Sequence, residues 1–175
     1  MRPFLVRSVP LALIVTVLCA LIYLAVQQDL RMSANDPQIQ MAEDAAMKIG
    51  SGATVQSVIP PDDVEISQSL SPYIVIFDDT GKPIAGNGLL HGTLPSIPSG
   101  IFDVVRTQGE DRFTWQPEPG VRSAAIVTRV NGTHPGFVLA GRSLREVENR
   151  ESILTAQVLG AWVVCLAVAF GAAVL

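Results

Sequence analysis

Hydrophobic positions along this chain take two patterns. Residues 8–26 and 153–175 are uncharged and mostly apolar, each close to the roughly 20 residues that carry a helix across about 30 Å of hydrocarbon. Residues 27–152 instead break into short apolar segments punctuated by Gly and Pro, as a water-facing domain does. The pattern predicts two transmembrane helices, 8–26 and 153–175, a short segment, 1–7, before the first, and one domain, 27–152, between them.

Within that domain the elements can be read in order. Residues 27–34 can prolong the first span as a helix until Asn35-Asp36-Pro37 interrupts it. Asn35 or Asp36 can cap a new helix, and Pro37 suits its first position, where an amide has no partner to lose. Ile39, Ala42, Ala46 and Ile49 give that helix a narrow apolar face, and Gly50-Ser51-Gly52 ends it. One long helix kinked at Pro37 is the alternative. Residues 64–70, after a loop at Pro60-Pro61-Asp62-Asp63, read as a short helical turn. Tyr73-Ile74-Val75-Ile76-Phe77 is apolar on both faces and so reads as a central strand. Asp78-Asp79-Thr80-Gly81 turns it into a partner strand at 82–85. Beyond the Gly- and Pro-rich loop 86–100 come a short helix from near Ser99 to Gly109, a strand at 112–116 stopped by Pro117, and strands at 121–130 and 137–143. The expected fold class is α+β: an antiparallel five-stranded sheet with membrane-proximal helices, flanked by two transmembrane helices.

The last strand leads through Gly141-Arg142 into Ser143-Leu144-Arg145-Glu146, which has capping-box spacing. The Ser143 hydroxyl can hold the third helical amide while Glu146 reaches back to the Ser143 amide. Ser143 and Glu146 are therefore expected to start the helix that couples the sheet to the second span. In that span Ala156, Gly160, Ala167 and Gly171 recur on one face, placed to pack against Ala12, Thr16 and Ala20 of the first span or against a second copy. Pro10 reads as the head of the first span and Tyr23 as its outer interface residue.

Charge adds an orientation. All 16 acidic residues lie between the two runs, with ten of the 12 Lys/Arg, while Arg2 and Arg7 precede the first. The positive-inside rule then puts the N-terminus in the cytoplasm and the domain outside. The competing reading of the first run is a cleaved signal peptide, whose apolar region would be about 7–15 residues and would end at a small-x-small site that is not evident before Gln27. With a net charge of −4, nothing here is basic enough to suggest nucleic acid, and no nucleic-acid partner is expected. Cys19 and Cys165 both fall inside the apolar runs, leaving the domain without a disulfide.

Candidate chemistry is sparse. His91 and His134 each sit in a Gly/Pro-rich loop with no second His, Cys or carboxylate at ligand spacing, so they read as exposed loop histidines rather than metal ligands. Ser67, Ser69 and Ser71 lack a nucleophile-elbow context, and Asp62-Asp63 and Asp78-Asp79 read as turn residues. Catalysis and cofactors are not expected.

An antiparallel five-stranded sheet between two membrane-linked helices resembles the extracytoplasmic PAS-like (PDC or single-Cache) sensor region of bacterial two-span receptors, histidine kinases above all. The resemblance is one of layout over the whole chain, carried by the Asn35-Asp36-Pro37 helix, the hairpin start at 73–81 and Gly141-Arg142-Ser143-Leu144-Arg145-Glu146. It implies a sensor domain in signal transduction that binds an unknown small ligand beneath its long loop. Trp115 and Arg122, both on strands, could then hold a carboxylate or aromatic metabolite; the competing reading makes Trp115 core and Arg122 a surface residue. Besides the lipid bilayer, the expected partners are a homodimer mate or a membrane partner protein. In such receptors the second span continues into a HAMP or kinase module; that output would lie on a partner or in sequence beyond residue 175. The competing function is a non-catalytic structural or accessory subunit of a membrane complex.

Overall fold

The structure is a computed structural model and describes residues 2–33, 36–132 and 134–174. In chain order its elements are α1 (Arg2–Ser33), α2 (Asp36–Gly50), a 3-10 turn at Val55–Val58, β1 (Val64–Glu65), β2 (Tyr73–Asp78), β3 (Pro83–Gly86), β4 (Gly88–Leu89), α3 (Ser99–Gln108), β5 (Glu110–Glu118), β6 (Val121–Val130), β7 (Gly136–Ser143) and α4 (Arg145–Val174). They fall into two compact units: residues 34–146, and a helical unit of residues 1–33 with 147–175. Asn35 lies outside the described residues, and of Asp36 only the backbone is described, so the expected cap of α2 is not placed. α1 and α2 stand as separate elements on either side of it.

The larger unit is α+β. Five strands pair antiparallel in the order β3-β2-β7-β6-β5, and β1 pairs with β4 in a separate two-stranded parallel sheet. β2 lies inside the sheet with Tyr73 through Phe77 all buried, which its two-sided apolar sequence requires. Side chains alternate between two cores. Tyr73, Val75, Phe77, Trp115, Ala125, Val127, Phe137 and Leu139 face one way and pack with Phe102 and Val105 of α3. Ile74, Ile76, Ile126, Val130, Val138 and Ala140 face the other way and meet Ala42, Ala45 and Ala46 of α2. The three alanines let α2 lie close on the sheet.

Three local expectations are corrected. Residues 64–70 are not simply a helical turn: Val64 and Glu65 form β1, with Val64 opposite Gly88 and Glu65 opposite Leu89, and only then does the chain turn. Pro117 does not stop its strand. β5 continues to Glu118 because it is an edge strand whose register slips between Trp115 and Glu118, so no ladder bond depends on the missing amide. Pro10 lies inside α1 rather than at its head, so the helix dispenses there with one main-chain bond.

Among the described residues, Ser8–Leu30 and Arg145–Gly171 are the stretches long and apolar enough to cross a membrane. Both extend beyond 8–26 and 153–175 on the domain side, because the helices run on through polar residues that an apolar run does not include. Trp162 Nε1 donates to Thr16 Oγ1 at 3.0 Å, and the hydroxyls of Thr155 and Tyr23 lie 3.4 Å apart. A groove of about 320 Å³ runs between the two helices, lined by Thr16, Cys19, Ala20 and Tyr23 on one side and Thr155, Val158, Leu159 and Trp162 on the other.

Candidate functional site

The antiparallel register brings four chain segments to one end of the sheet. Tyr73 at the start of β2 pairs with Gly141 near the end of β7, Ser143 pairs with Ser123 near the start of β6, and Glu118 closes β5 against Val121. This is the end from which β7 leads into α4. Two connecting segments lie over it, the turn after β1 and the loop after β4.

Glu65 organises both. Its Oε1 accepts the His91 amide at 3.0 Å and the Ser67 hydroxyl at 2.8 Å, while Oε2 accepts the Gly92 amide at 3.2 Å. The His91 amide first, and the Ser67 hydroxyl after it, hold the Glu65 carboxyl below the usual carboxylate range. The backbone oxygen of Glu65 accepts the amides of Gln68 and Ser69, which shapes the turn. One residue therefore ties the turn after β1 to the loop after β4.

His91 has a left-handed backbone (φ 52°), uncommon for a residue with a side chain. Its Nε2 stands 2.8 Å from Glu118 Oε2. The hydrogen bond to Glu118, reinforced by the charges of Glu118 and Glu65, holds the imidazole above the ordinary histidine range. No local spacing announces this pairing: Glu118 lies 27 residues downstream and on a different sheet edge. Glu65 and Glu118 were not legible as partners of His91.

The β7–α4 junction is gripped from the same turn. Arg145 Nη2 donates to the backbone oxygen of Gln68 at 2.6 Å, and Arg142 Nε to that of Leu70 at 3.4 Å. Ser143 Oγ accepts the Arg145 amide at 3.3 Å, one position earlier than the capping-box expectation, because α4 starts at Arg145 and Leu144 occupies the cap position. The Leu144 amide is held by the Arg122 backbone oxygen. Glu146, half-buried, begins the helix beside Arg145.

The structure does not bring Trp115 and Arg122 together. Trp115 is paired with Ser123 and belongs, only 6% exposed, to the core shared with α3. Arg122 precedes Ser123 on β6 and so points to the opposite face, where it is exposed. Within the 86–100 loop, Leu90, Leu94 and Ile97 pack against the same core. His134 is exposed. Asp78 is a turn residue, its Oδ1 accepting the amides of Thr80 and Lys82 at 2.9 Å. Among the described residues no cluster of three or more His, Cys, Asp or Glu could hold a metal.

In the helical unit the stripe of α1 meets α4 through Thr16 and Ala20, opposite Thr155, Val158, Leu159 and Trp162. The small face of α4 is a different one. A Cβ added at Gly160 or Gly171 would have no atom within 4 Å, and Ala156 and Ala167 are exposed. Packing of that face on Ala12, Thr16 and Ala20 is therefore corrected; of the two expected partners, a second copy is the one the face leaves open.

Compared with models of known protein families and with curated proteins, the chain matches none. The fold defines it as an α+β domain with two helices long and apolar enough to cross a membrane.

Proposed function

We propose that this chain is a membrane-anchored sensor module of PAS-like type. Its domain lies outside a bacterial inner membrane, its N-terminus in the cytoplasm, and it signals through α4 to a cytoplasmic output without catalysis of its own. The observation that carries the reading is the junction at residues 142–145. The last strand of the sheet leads into the apolar helix α4 within two residues, and Arg142 and Arg145 fasten that junction to the turn at 68–70. A rearrangement of the loops over this end of the sheet changes those two bonds, and with them the start of α4. The effect on output is limited to the stimulus's preference for one arrangement over the other. The five-stranded antiparallel sheet supports the PAS-like part of the reading, and the charge asymmetry of Arg2 and Arg7 supports the orientation.

The accessory-subunit reading keeps one observation in its favour: the open face of Ala156, Gly160, Ala167 and Gly171, which suits close approach of another helix. A reporter fused after Gly120 tests the orientation, since activity confined to the cytoplasm would rule out an exported sensor. Arg142→Gln with Arg145→Gln tests transmission. Faster amide exchange at residues 144–150 over an unaltered sheet supports a sensor, and unchanged exchange supports an accessory subunit.

A further inference from the structure

The polar contacts over the β7–α4 end of the sheet form an unbroken series. Glu118, at the end of β5, meets the His91 ring. The backbone of His91 and its neighbour Gly92 is held by the Glu65 carboxylate. The Glu65 backbone oxygen holds the amides of Gln68 and Ser69, and the oxygens of Gln68 and Leu70 receive Arg145 and Arg142. Every member belongs to the same compact unit. The charged groups acting on the His91 ring are Glu118 from β5 and Glu65 from β1, both acidic.

We propose that the His91–Glu118 bridge is a proton-operated latch, so that the stimulus read by this domain is external pH. The proposal rests on the sensory reading for its consequence in α4, while the latch itself is a property of the loop. With the imidazole protonated, Nε2 donates a charge-assisted bond to Glu118 and fixes the loop after β4 against the end of β5. Loss of the proton removes the charge and leaves at most a neutral-donor bond in one of two tautomers. Two features make the loop responsive. His91 holds a left-handed backbone, which an L side chain rarely adopts without outside support. The main-chain bonds between Leu90 and Thr93 close the turn that holds it, and the two carboxylates fasten that turn to the domain, one on the ring and one on the amide. Releasing the ring loosens the His91 and Gly92 amides on Glu65, and through Glu65 the turn that receives Arg142 and Arg145.

The direction follows from the sign of the linkage. Because the folded protein holds the His91 proton more tightly than an unfolded chain does, the latch is fully closed below the ordinary histidine value, about 6.5. It opens as pH rises through the raised midpoint. Acid is thus the latched state and alkali the released one.

The test uses the whole chain in lipid nanodiscs. The His91 imidazole titration is followed by NMR, and amide exchange at residues 66–70 and 144–146 is measured across the same pH range and corrected for intrinsic rates. The latch requires a His91 midpoint above the ordinary value, severalfold faster exchange in both segments as pH passes that midpoint, and loss of both effects in Glu118→Gln. A second variant, His91→Asn, keeps a residue that tolerates the left-handed backbone, and should show the fast, high-pH exchange at every pH. A midpoint indifferent to Glu118→Gln overturns the proposal. So does a midpoint that shifts while exchange at 66–70 and 144–146 stays level. Failure of the sensory reading looks different, because there Arg142→Gln with Arg145→Gln leaves α4 unaltered however His91 titrates.

Discussion

The ring of Tyr73 lies across the bare backbone of Gly141. The two residues are paired between β2 and β7, and a Cβ at Gly141 would stand 2.5 Å from both Cζ and the phenol oxygen of Tyr73. The other flank of the ring is Gly88, where a Cβ would strike Cδ2. Tyr73 is therefore seated between two glycines at the end of the sheet that carries the junction to α4. Gly141→Ala should push the ring out of this seat and destabilise the domain by about 1–3 kcal/mol, the usual cost of overpacking. A urea titration followed by Trp115 fluorescence measures it, and an unshifted midpoint would mean that the ring has room to move.

The hydroxyl of the same residue gives a prediction of opposite sign. Among the described residues neither Tyr73 Oη nor Ser123 Oγ makes a bond of good geometry. Burial drives the phenol well above the ordinary tyrosine range, with the nearby Ser123 only partly offsetting it. Tyr73→Phe removes a buried polar atom without leaving a satisfied partner orphaned, so it should be neutral or stabilising, by up to about 1 kcal/mol. Marked destabilisation would show that a partner, such as a bound water, is lost with the hydroxyl.

Trp115 and Arg122 should behave as independent residues. Trp115→Ala opens a hole in the core shared with α3 and should cost about 3–5 kcal/mol. Arg122→Ala, on the exposed side of β6, should cost much less, and the double variant should show the sum. A coupling of more than about 0.5 kcal/mol in a double-mutant cycle would place them in one site after all.

The loop after β4 should be best ordered within a pH window. Glu65 has a lowered pKa, so its hold on the His91 and Gly92 amides is present above the ordinary carboxylate value and lost as pH falls through the lowered one. His91 has a raised pKa, so the contribution of its bridge is present at acid pH and lost as pH rises through the raised one. Exchange protection of the His91 and Gly92 amides should peak between the two and fall on both sides. Glu65→Ala should abolish the peak. Protection that is flat with pH would exclude both groups as its source.

Much of the fold was legible from local pattern, and the reasons for the exceptions are physical. Two-sided apolarity located β2 inside the sheet, and Ser99 and Gly109 bracketed α3, whose C-terminal Gly109 takes the positive φ of 89° that a helix end favours. What failed was non-local. β1 exists only because Gly88 lies beside Val64, and β5 survives Pro117 only because it is an edge strand. Trp115 and Arg122 both looked available on strands, yet the register that sends them to opposite faces is a property of the paired sheet. The His91–Glu118–Glu65 contacts join three segments far apart in sequence, and an isolated loop histidine carries no sign of them. At the junction the capping pattern named Ser143 and Glu146, but α4 starts at Arg145, and the Ser143 hydroxyl accepts the Arg145 amide instead of the Glu146 amide.

The relation between α1 and α4 gives the most direct measurement of transmission. Native Cys19 and Cys165 are replaced by alanine, and spin labels are placed at Leu13 and Val168, both exposed and within the helical unit. The distance distribution is then recorded in lipid nanodiscs for the parent protein and for Arg142→Gln with Arg145→Gln. If the junction sets the position of α4, the double variant shifts or broadens the distribution while the exchange protection of β2, β6 and β7 is unchanged. Superimposable distributions over an intact sheet would contradict transmission through α4 and with it the sensory role.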